Sequence, residues 1–537
     1  MLNYVWIALL FLGIGAALTT DIIDNNQNKF HNNKRITVKV YFKDGIEKDL
    51  YIKINSDVTV SKNEFNKIFS KNINSDLTFN SVVTFDKDTT SAKANLIITD
   101  GMPDVVKSIA KASGKDNDIN ATIYFNNGNA SIIFEKVSFI NLKNVTNAAL
   151  EYAGIAVNIA LGLIGIMALW IGIMKVAEDA GLIKVIAKVV KPLTKWLFPN
   201  VPSDHPAMGS MIMNISANML GLGNAATPFG LKAMEELEEL NPKKGTATNA
   251  MCTFLAINTA GITLIPATAI AVRAAAGSSD PAIIIGTSLF ASFCATIAGI
   301  FSAKLFEKFP LKKGEFKIWL KENSKFFTIL FLLIAVVLIF SFTGFGKSVA
   351  STFSFINVSS FKTVIQLLST LAIPLLIVIF LGYGLIKKVK VYEQFVEGAK
   401  EGFQIAIKII PYLVAMLVAI GIFRAGGAME WLKFVVQPVT DFIGMPVDAL
   451  PMALMRPLSG SGSLGIMAEI ISVHGPDSFI GILTSTFYGS TETTFYVLAL
   501  YFGAVNIKKT RHALPAGLIA DITGILAAVF IVRLLFV

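Results

Sequence analysis

Apolar runs alternate with short basic stretches along most of the chain, and one polar block interrupts them near the start. Residues 3–20 form the first run. It lacks the charged start and clean small-x-small site of a cleaved signal peptide, which predicts an uncleaved first helix. Further runs over about 151–174, 249–272, 281–303, 326–345, 361–386, 403–423, 479–503 and 513–536 are each long enough to cross a bilayer. Residues 21–145 are rich in Asn, Lys, Asp and Ser. Alternating segments such as Ile36–Phe42 and Ala121–Phe125, punctuated by Asp44-Gly45 and Asn127-Gly128, predict strands and turns. Helical patterns near 61–70 and 103–113 complete a small soluble α+β insert.

Two apolar stretches do not read as simple spans. Residues 205–231 contain Asn218-Met-Leu-Gly-Leu-Gly-Asn-Ala-Ala-Thr-Pro228, and residues 450–475 contain Met455-Arg-Pro-Leu-Ser-Gly-Ser-Gly-Ser-Leu-Gly465. Irregular polar backbone at membrane depth survives only inside protein or beside a water-filled cavity. Both stretches are therefore predicted to be re-entrant hairpins or discontinuous helices. Residues 175–200 are amphipathic, with Lys175, Lys184, Lys188, Lys191 and Lys195, and predict a helix lying in the interface.

The order of features repeats. Ile171-Gly-Ile-Met-Lys175 and Ile420-Gly-Ile-Phe-Arg424 each close a long apolar run. Lys191-Pro192 and Gln437-Pro438 follow, then Pro206 and Pro451 open the broken stretches, and two more spans close each half. Basic clusters at 175–195, 304–325, 387–390 and 508–511 are expected on the cytoplasmic side, whereas the loops at 274–280, 346–360 and 470–478 are nearly free of Lys and Arg. With the span at 326–345 between the halves, the second half enters from the opposite side, giving an inverted repeat. The N-terminus is then cytoplasmic and residues 21–145 lie outside. The domains expected are 1–20, 21–145, 146–320, 321–360 and 361–537.

Composition narrows the class. Of 537 residues, 53% are hydrophobic and 16% charged, which fits an all-α polytopic membrane protein with some soluble mass. The formal charge of +10 belongs with cytoplasmic loops, since no basic domain with interleaved aromatics points to nucleic acid. The two cysteines, Cys252 and Cys294, form no disulfide framework or CxxC signature. The four histidines are scattered, and no metal site is predicted. There is no GxxxxGK[ST] motif for ATP, and no recognisable nucleophile–base pair for an enzyme.

The candidate chemistry gathers at the two breaks. In the first, Asn214, Asn218, Asn224 and Thr227 supply donors and acceptors, and Gly221 and Gly223 let the backbone turn. A helix following Pro228 would aim its positive end at an anionic group; the alternative is that these amides only satisfy hairpin backbone. In the second, Arg456 is an ionisable group at membrane depth, suited to a phosphate or carboxylate or to a salt bridge with Glu469 or Glu492. Ser459, Ser461 and Ser463 alternate with glycine, as in an ion-binding nest. Ser490, Thr491, Glu492 and Thr493 form a polar run inside the span 479–503, and Asn258-Thr259 holds the similar place in 249–272. Glu492 and Asp521 are the candidates for coupling to Na⁺ or H⁺. Asp204-His205 reads as a capping pair, His474 as a turn residue beside Asp477, and Glu235, Glu236, Glu238 and Glu239 as a solvated face.

The run NMLGLGNAATPFGLKAMEEL at 218–237 resembles spore maturation protein A. LPMALMRPLSGSGSLG at 450–465 and GSTETTFYVLALYFGAVNIKKTRHALPAGLIAD at 489–521 resemble spore maturation protein B. The chain is thus similar to a fusion of the two, over about 1–20 with 146–320 and then 361–537. The resemblance implies a Gate-domain, or nucleoside recognition, membrane module related to parts of nucleoside and ferrous-iron transporters. The 21–145 insert departs from that pattern and leaves a role in sporulation open. The function expected is a non-enzymatic permease for a small polar or charged solute, driven by an ion or gradient, in a bacterial cytoplasmic membrane. The other expectation is an envelope-assembly scaffold whose outer domain binds a partner. No cofactor is expected beyond a coupling Na⁺ or H⁺. The partners are the lipid bilayer, a small-molecule or ion substrate and a second copy in a homo-oligomer.

Overall fold

The computed structural model describes residues 2–43, 53–70, 72–85, 90–113, 117–126, 129–221, 223–308, 319, 321, 324, 328 and 358–536. The expected span at 326–345 lies outside the described residues but for residue 328. The chain divides into two compact units. One comprises Ile7–Leu150 with Gly421–Trp431, the other Glu151–Ile420 and Leu432–Val537 with the first six residues.

The alternating segments of the first unit form six strands: β1 (Ile36–Phe42), β2 (Lys53–Val60), β3 (Leu77–Phe85), β4 (Ser91–Ile97), β5 (Asp118–Asn126) and β6 (Asn129–Phe134). Each pairs antiparallel with the next, and β6 returns to β1 with Ile36 opposite Ile132, so the sheet closes into a barrel. Strand alternation fixes which side chains point inward. Val58, Phe79, Val83, Leu96, Ile119, Ile123 and Ile132 fill the interior. Beyond α1 (Leu2–Asn26), the unit adds α2 (Lys62–Phe69) and α3 (Asp104–Ser113). Ser61 caps α2 by accepting from the Glu64 N–H, and Phe65 and Phe69 bury its apolar face. Closure of the sheet is what the sequence pattern does not reveal, because alternation looks the same in open and closed sheets.

The second unit is helical, and its elements come twice in the same order. The first series is α4 (Ile140–Asp179), α5 (Leu182–Leu197), α6 (Pro206–Met219), α7 (Gly223–Glu239), α8 (Asn249–Ala260), α9 (Ala267–Ala275) and α10 (Ile284–Leu305). After α11 (Val358–Ile386) the second is α12 (Val391–Ala425), α13 (Ala428–Ile443), α14 (Leu450–Met455), α15 (Gly460–His474), α16 (Phe479–Ser490), α17 (Thr494–Ala504) and α18 (Ala513–Phe536). The amphipathic pair α5 and α13 are both 16 residues long, and Pro192 and Pro438 occupy the same position in each. Proline also stands in the first turn of α6 and α14, where its missing N–H costs nothing. Among the described residues, five helices are long and apolar enough to cross a membrane: Asn3–Asn26, Ile140–Asp179, Pro281–Lys308, Val391–Ala425 and Ala513–Phe536.

Two runs expected to be continuous spans are not. Residues 249–272 break between α8 and α9 at 261–266, and residues 479–503 break between α16 and α17 at 491–493. A second correction concerns Pro228. It lies inside α7, which starts earlier, at Gly223. The broken helices and the two closing helices interlock: α8 and α16 each pack on both α10 and α18, and α10 packs along α18. Small side chains allow the approach. Ala256, Ala303 and Ala516 form one layer, and Ala260, Ala295 and Ala520 the next.

Candidate functional site

The two helix breaks touch. The Glu492 N–H donates to the Thr259 carbonyl over 2.8 Å, so the interruption of one helix caps the open end of the other. Gly261 adopts φ +50° here, and a Cβ on it would stand 2.9 Å from the Glu492 Cγ. Each break also holds the turn of its own hairpin. The Leu264 N–H donates to the Met219 carbonyl over 2.8 Å, and the Phe495 N–H to the Pro457 carbonyl over 3.0 Å. Helix-end groups are thereby satisfied by protein rather than by water.

Side chains differ at the two turns. At the first, Asn218 Nδ2 donates to Asn258 Oδ1 over 3.0 Å, and Asn258 in turn donates to the Phe254 carbonyl. Gly221 makes this turn at φ +76°, with the Ile265 carbonyl only 2.6 Å from where a Cβ would be. At the second, Arg456 is 3% exposed. Its Nη2 donates to the Thr491 carbonyl and lies 3.7 Å from Glu492 Oε2. Its guanidinium carbon stands 4.3 Å from the centre of the Tyr488 ring, and its Nη1 reaches Ser463 Oγ at 3.5 Å. Of the two salt-bridge partners considered for Arg456, the structure pairs it with Glu492.

A cavity of about 240 Å³ opens at this junction. Asn218 and Gly221 line it from the first turn, Thr263, Ile265 and Pro266 from the first break, Ala267 and Thr268 from the start of α9, and Arg456, Tyr488 and Glu492 from the second half. Its remaining wall is formed by α4 and α12, through Trp170, Met174, Lys175, Glu178, Glu401 and Ile405. These helices approach closely because Gly398 and Gly402 face them; a Cβ on either would lie 2.6 Å from an α4 carbonyl. The cavity thus holds two clusters of opposite charges, Arg456 with Glu492 and Lys175 with Glu178 at 3.4 Å. Lys175 read from sequence as part of an amphipathic stretch, and Trp170 and Glu401 drew no notice. Only their position opposite the hairpin turns distinguishes them.

The other candidate residues whose side chains are described lie off the cavity wall. Asn214 is buried and donates to the Ala226 carbonyl and Tyr501 Oη. Thr259 donates to the Ala256 carbonyl and Ser490 to that of Phe487. Ser459 caps α15 by accepting from the Gly462 N–H, Ser461 lies beside it at 3.5 Å, and Thr493 stands at the start of α17. Thr227 is half-buried on α7, Gly223 starts that helix, and the side chain of Asn224 lies outside the described residues. Asp521 is buried in α18 and accepts from Thr494 Oγ1 over 2.6 Å. His205 caps α6, whereas His474 faces Asp448 at 3.9 Å rather than Asp477. Glu236 departs from the solvated face expected of its run: it is only 9% exposed.

A polar clamp away from the cavity ties the two series together. Arg273, at the end of α9, has no exposed surface. It donates to Asp477 Oδ1 over 2.8 Å, to Ser278 Oγ over 3.0 Å and to the carbonyls of Asp280, Pro281 and Pro476. Asp477 also accepts from the hydroxyls of Ser278 and Ser279 and the Ser279 N–H. Burial opposes ionisation of Asp477, but these donors together with Arg273 outweigh it and hold the carboxyl below its usual range. Arg273 is the only Lys or Arg between Lys244 and Lys304, and that isolation is the available signal for this clamp.

Paired series of long, amphipathic, hairpin and broken helices, closing on a polar cavity, define a multi-pass membrane protein with an internal repeat. The family model described as "Gate: Nucleoside recognition" matches residues 160–275 and 406–508, one hairpin and one break in each match. The chain is 53% identical over 173 residues to spore maturation protein B of Bacillus subtilis (strain 168), covering 32% of this chain and 97% of that protein. It is 44% identical over 173 residues to spore maturation protein A of the same organism, covering 32% and 88%. It is 30% identical over 81 residues to the inner membrane protein YjiG of Escherichia coli (strain K12), covering 15% and 53%. No solved structure matches significantly. The chain belongs to the family of spore maturation proteins A and B, with Gate domains.

Proposed function

We propose that the protein is a Gate-type permease for a small polar or charged solute, in a bacterial cytoplasmic membrane. The observation that carries this reading is the cavity on which two hairpin turns and two helix breaks converge, with Arg456 and Glu492 in its wall. Paired broken helices at corresponding places in two repeats are a sequence and fold pointer to a transport site. The hairpins re-enter from opposite sides, as the basic clusters at 175–195 and 508–511 suggest. The exposed apolar faces of α5 (Val189, Leu193, Trp196) and α13 (Phe434, Val435, Phe442) suit helices lying in the interface. The family description makes nucleosides and nucleobases the first solutes to try, and the mixed charge of the cavity adds small carboxylates and phosphates.

The experiment is a thermal-unfolding screen of the purified full-length chain against those solutes, followed by uptake of any hit into proteoliposomes. Arg456→Ala and Glu492→Gln are each expected to weaken solute-dependent stabilisation at least about tenfold while leaving folded protein, the effect of losing one charge-assisted hydrogen bond. Unchanged stabilisation in both variants would remove the site. A scaffold role in envelope assembly draws its support from the relatives' names. It gains if no solute stabilises the protein and uptake is absent.

A further inference from the structure

The last helix carries an acid with no counter-charge bonded to it. Asp521 is 1% exposed; one carboxylate oxygen accepts from Thr494 Oγ1, and the other, Oδ1, has no partner among the described residues. Gly517 and Gly524 stand four residues before it and three after, on the same face of α18. Both have neighbours where a Cβ would be. At Gly517 these are Thr259 Oγ1 at 3.2 Å and Thr494 Oγ1 at 3.3 Å; at Gly524, Thr491 Cγ2 at 2.7 Å. The two glycines therefore admit threonines of both broken helices against the face of α18 that carries the acid. Thr491 is 3% exposed and its hydroxyl also has no partner among the described residues. A buried carboxylate without compensation is costly, and a buried unpaired hydroxyl adds to that cost.

We propose that Asp521, with the hydroxyls of Thr491 and Thr494, binds a small monovalent cation of the sodium class. A threonine hydroxyl can donate to the acid and still offer a lone pair to a cation. One carboxylate among neutral ligands balances a single positive charge; a divalent ion would leave one uncompensated. Thr491 also touches the cavity wall, since its carbonyl accepts from Arg456, which lines the cavity. One residue thus joins the cation site to the solute site. The use of this link in coupling rests on the permease reading, but cation binding itself does not.

The test compares the unfolding temperature of the full-length protein in sodium chloride and in choline chloride of equal ionic strength, with no solute added. Sodium should raise it saturably in the wild type, as any ligand of the folded state does. Asp521→Asn should abolish the rise. Thr491→Val and Thr494→Val should each move half-saturation to about tenfold higher sodium. No sodium-specific rise in the wild type, or an equal rise in Asp521→Asn, overturns the site. So does a rise produced by acidification alone, which would make Asp521 a proton carrier. If Asp521→Asn fails to fold, unchanged half-saturation in both threonine variants is decisive. Solute stabilisation lost in Arg456→Ala while the sodium response persists, or the reverse, separates this proposal from the permease reading.

Discussion

The first hairpin turn is closed by a glycine and two side-chain amides, the second by a buried arginine that reaches a helix end, a carboxylate and an aromatic face. Both turns solve one problem, holding irregular backbone against a broken helix. They use unlike chemistry because neutral amides can cross-bond without creating charge, whereas a guanidinium must be surrounded by acceptors before it can be buried. A repeated architecture can therefore keep its backbone hydrogen bonds, Leu264 to Met219 and Phe495 to Pro457, while the side chains facing the cavity diverge. On the permease reading, the neutral turn positions a solute and the charged turn attracts it.

This contrast can be broken at graded points. The largest effect is expected from Arg273→Ala, which removes the clamp shared by both series; loss of a buried guanidinium that bonds several acceptors costs about 3 kcal/mol, read as a fall in unfolding temperature. The pH dependence has the same origin. Because the folded state holds the Asp477 carboxyl below its unfolded value of 3.8, the clamp's contribution is complete above that value and fades as pH falls through the folded one. Acid titration of stability in the wild type and in Asp477→Asn checks the sign: only the wild type should show this loss.

Next comes Gly221→Ala, expected to cost about 2–3 kcal/mol from the positive φ and the Ile265 carbonyl behind it. Gly460→Ala, at the second hairpin, meets only the Thr493 hydroxyl at 3.1 Å and should change stability by less than about 1 kcal/mol. Equal costs would mean that the two turns are not built differently. Asn218→Ala should lower stability by about 1 kcal/mol, the worth of its bond to Asn258. It should weaken solute binding less than Arg456→Ala does. A larger effect on binding from Asn218→Ala would reverse the assignment of attraction to the second turn.

Much of this arrangement was visible in the residues. Glycine, proline and asparagine inside apolar runs located both hairpins, and the ordered recurrence of Pro192 with Pro438 and Pro206 with Pro451 exposed the repeat. The breaks at 261–266 and 491–493 were not legible. Gly261-Ile-Thr-Leu-Ile-Pro266 is mostly apolar and its glycine and proline sit within a run long enough to span, and Thr491-Glu492-Thr493 would sit acceptably in a helix. What interrupts them is a tertiary bond, Glu492 to Thr259, between residues more than 200 positions apart. The cavity wall on α4 and α12 escaped notice for the same reason: Lys175 and Glu401 acquire meaning only from what faces them.

In the barrel, the strands by which the chain enters and leaves are hydrogen-bonded neighbours, and Asn32 ties them again by bonding both the carbonyl and the N–H of Val137. At its base, Asp21 accepts from the N–H groups of Asn141 and Leu142, fastening the last turns of α1 to the first of α4. An element whose two ends already meet is a cassette. It can be inserted between two helices, or excised and replaced by a short linker, in one genetic step that leaves the flanking helices in register. The helical repeat and the barrel can therefore have separate histories within one chain.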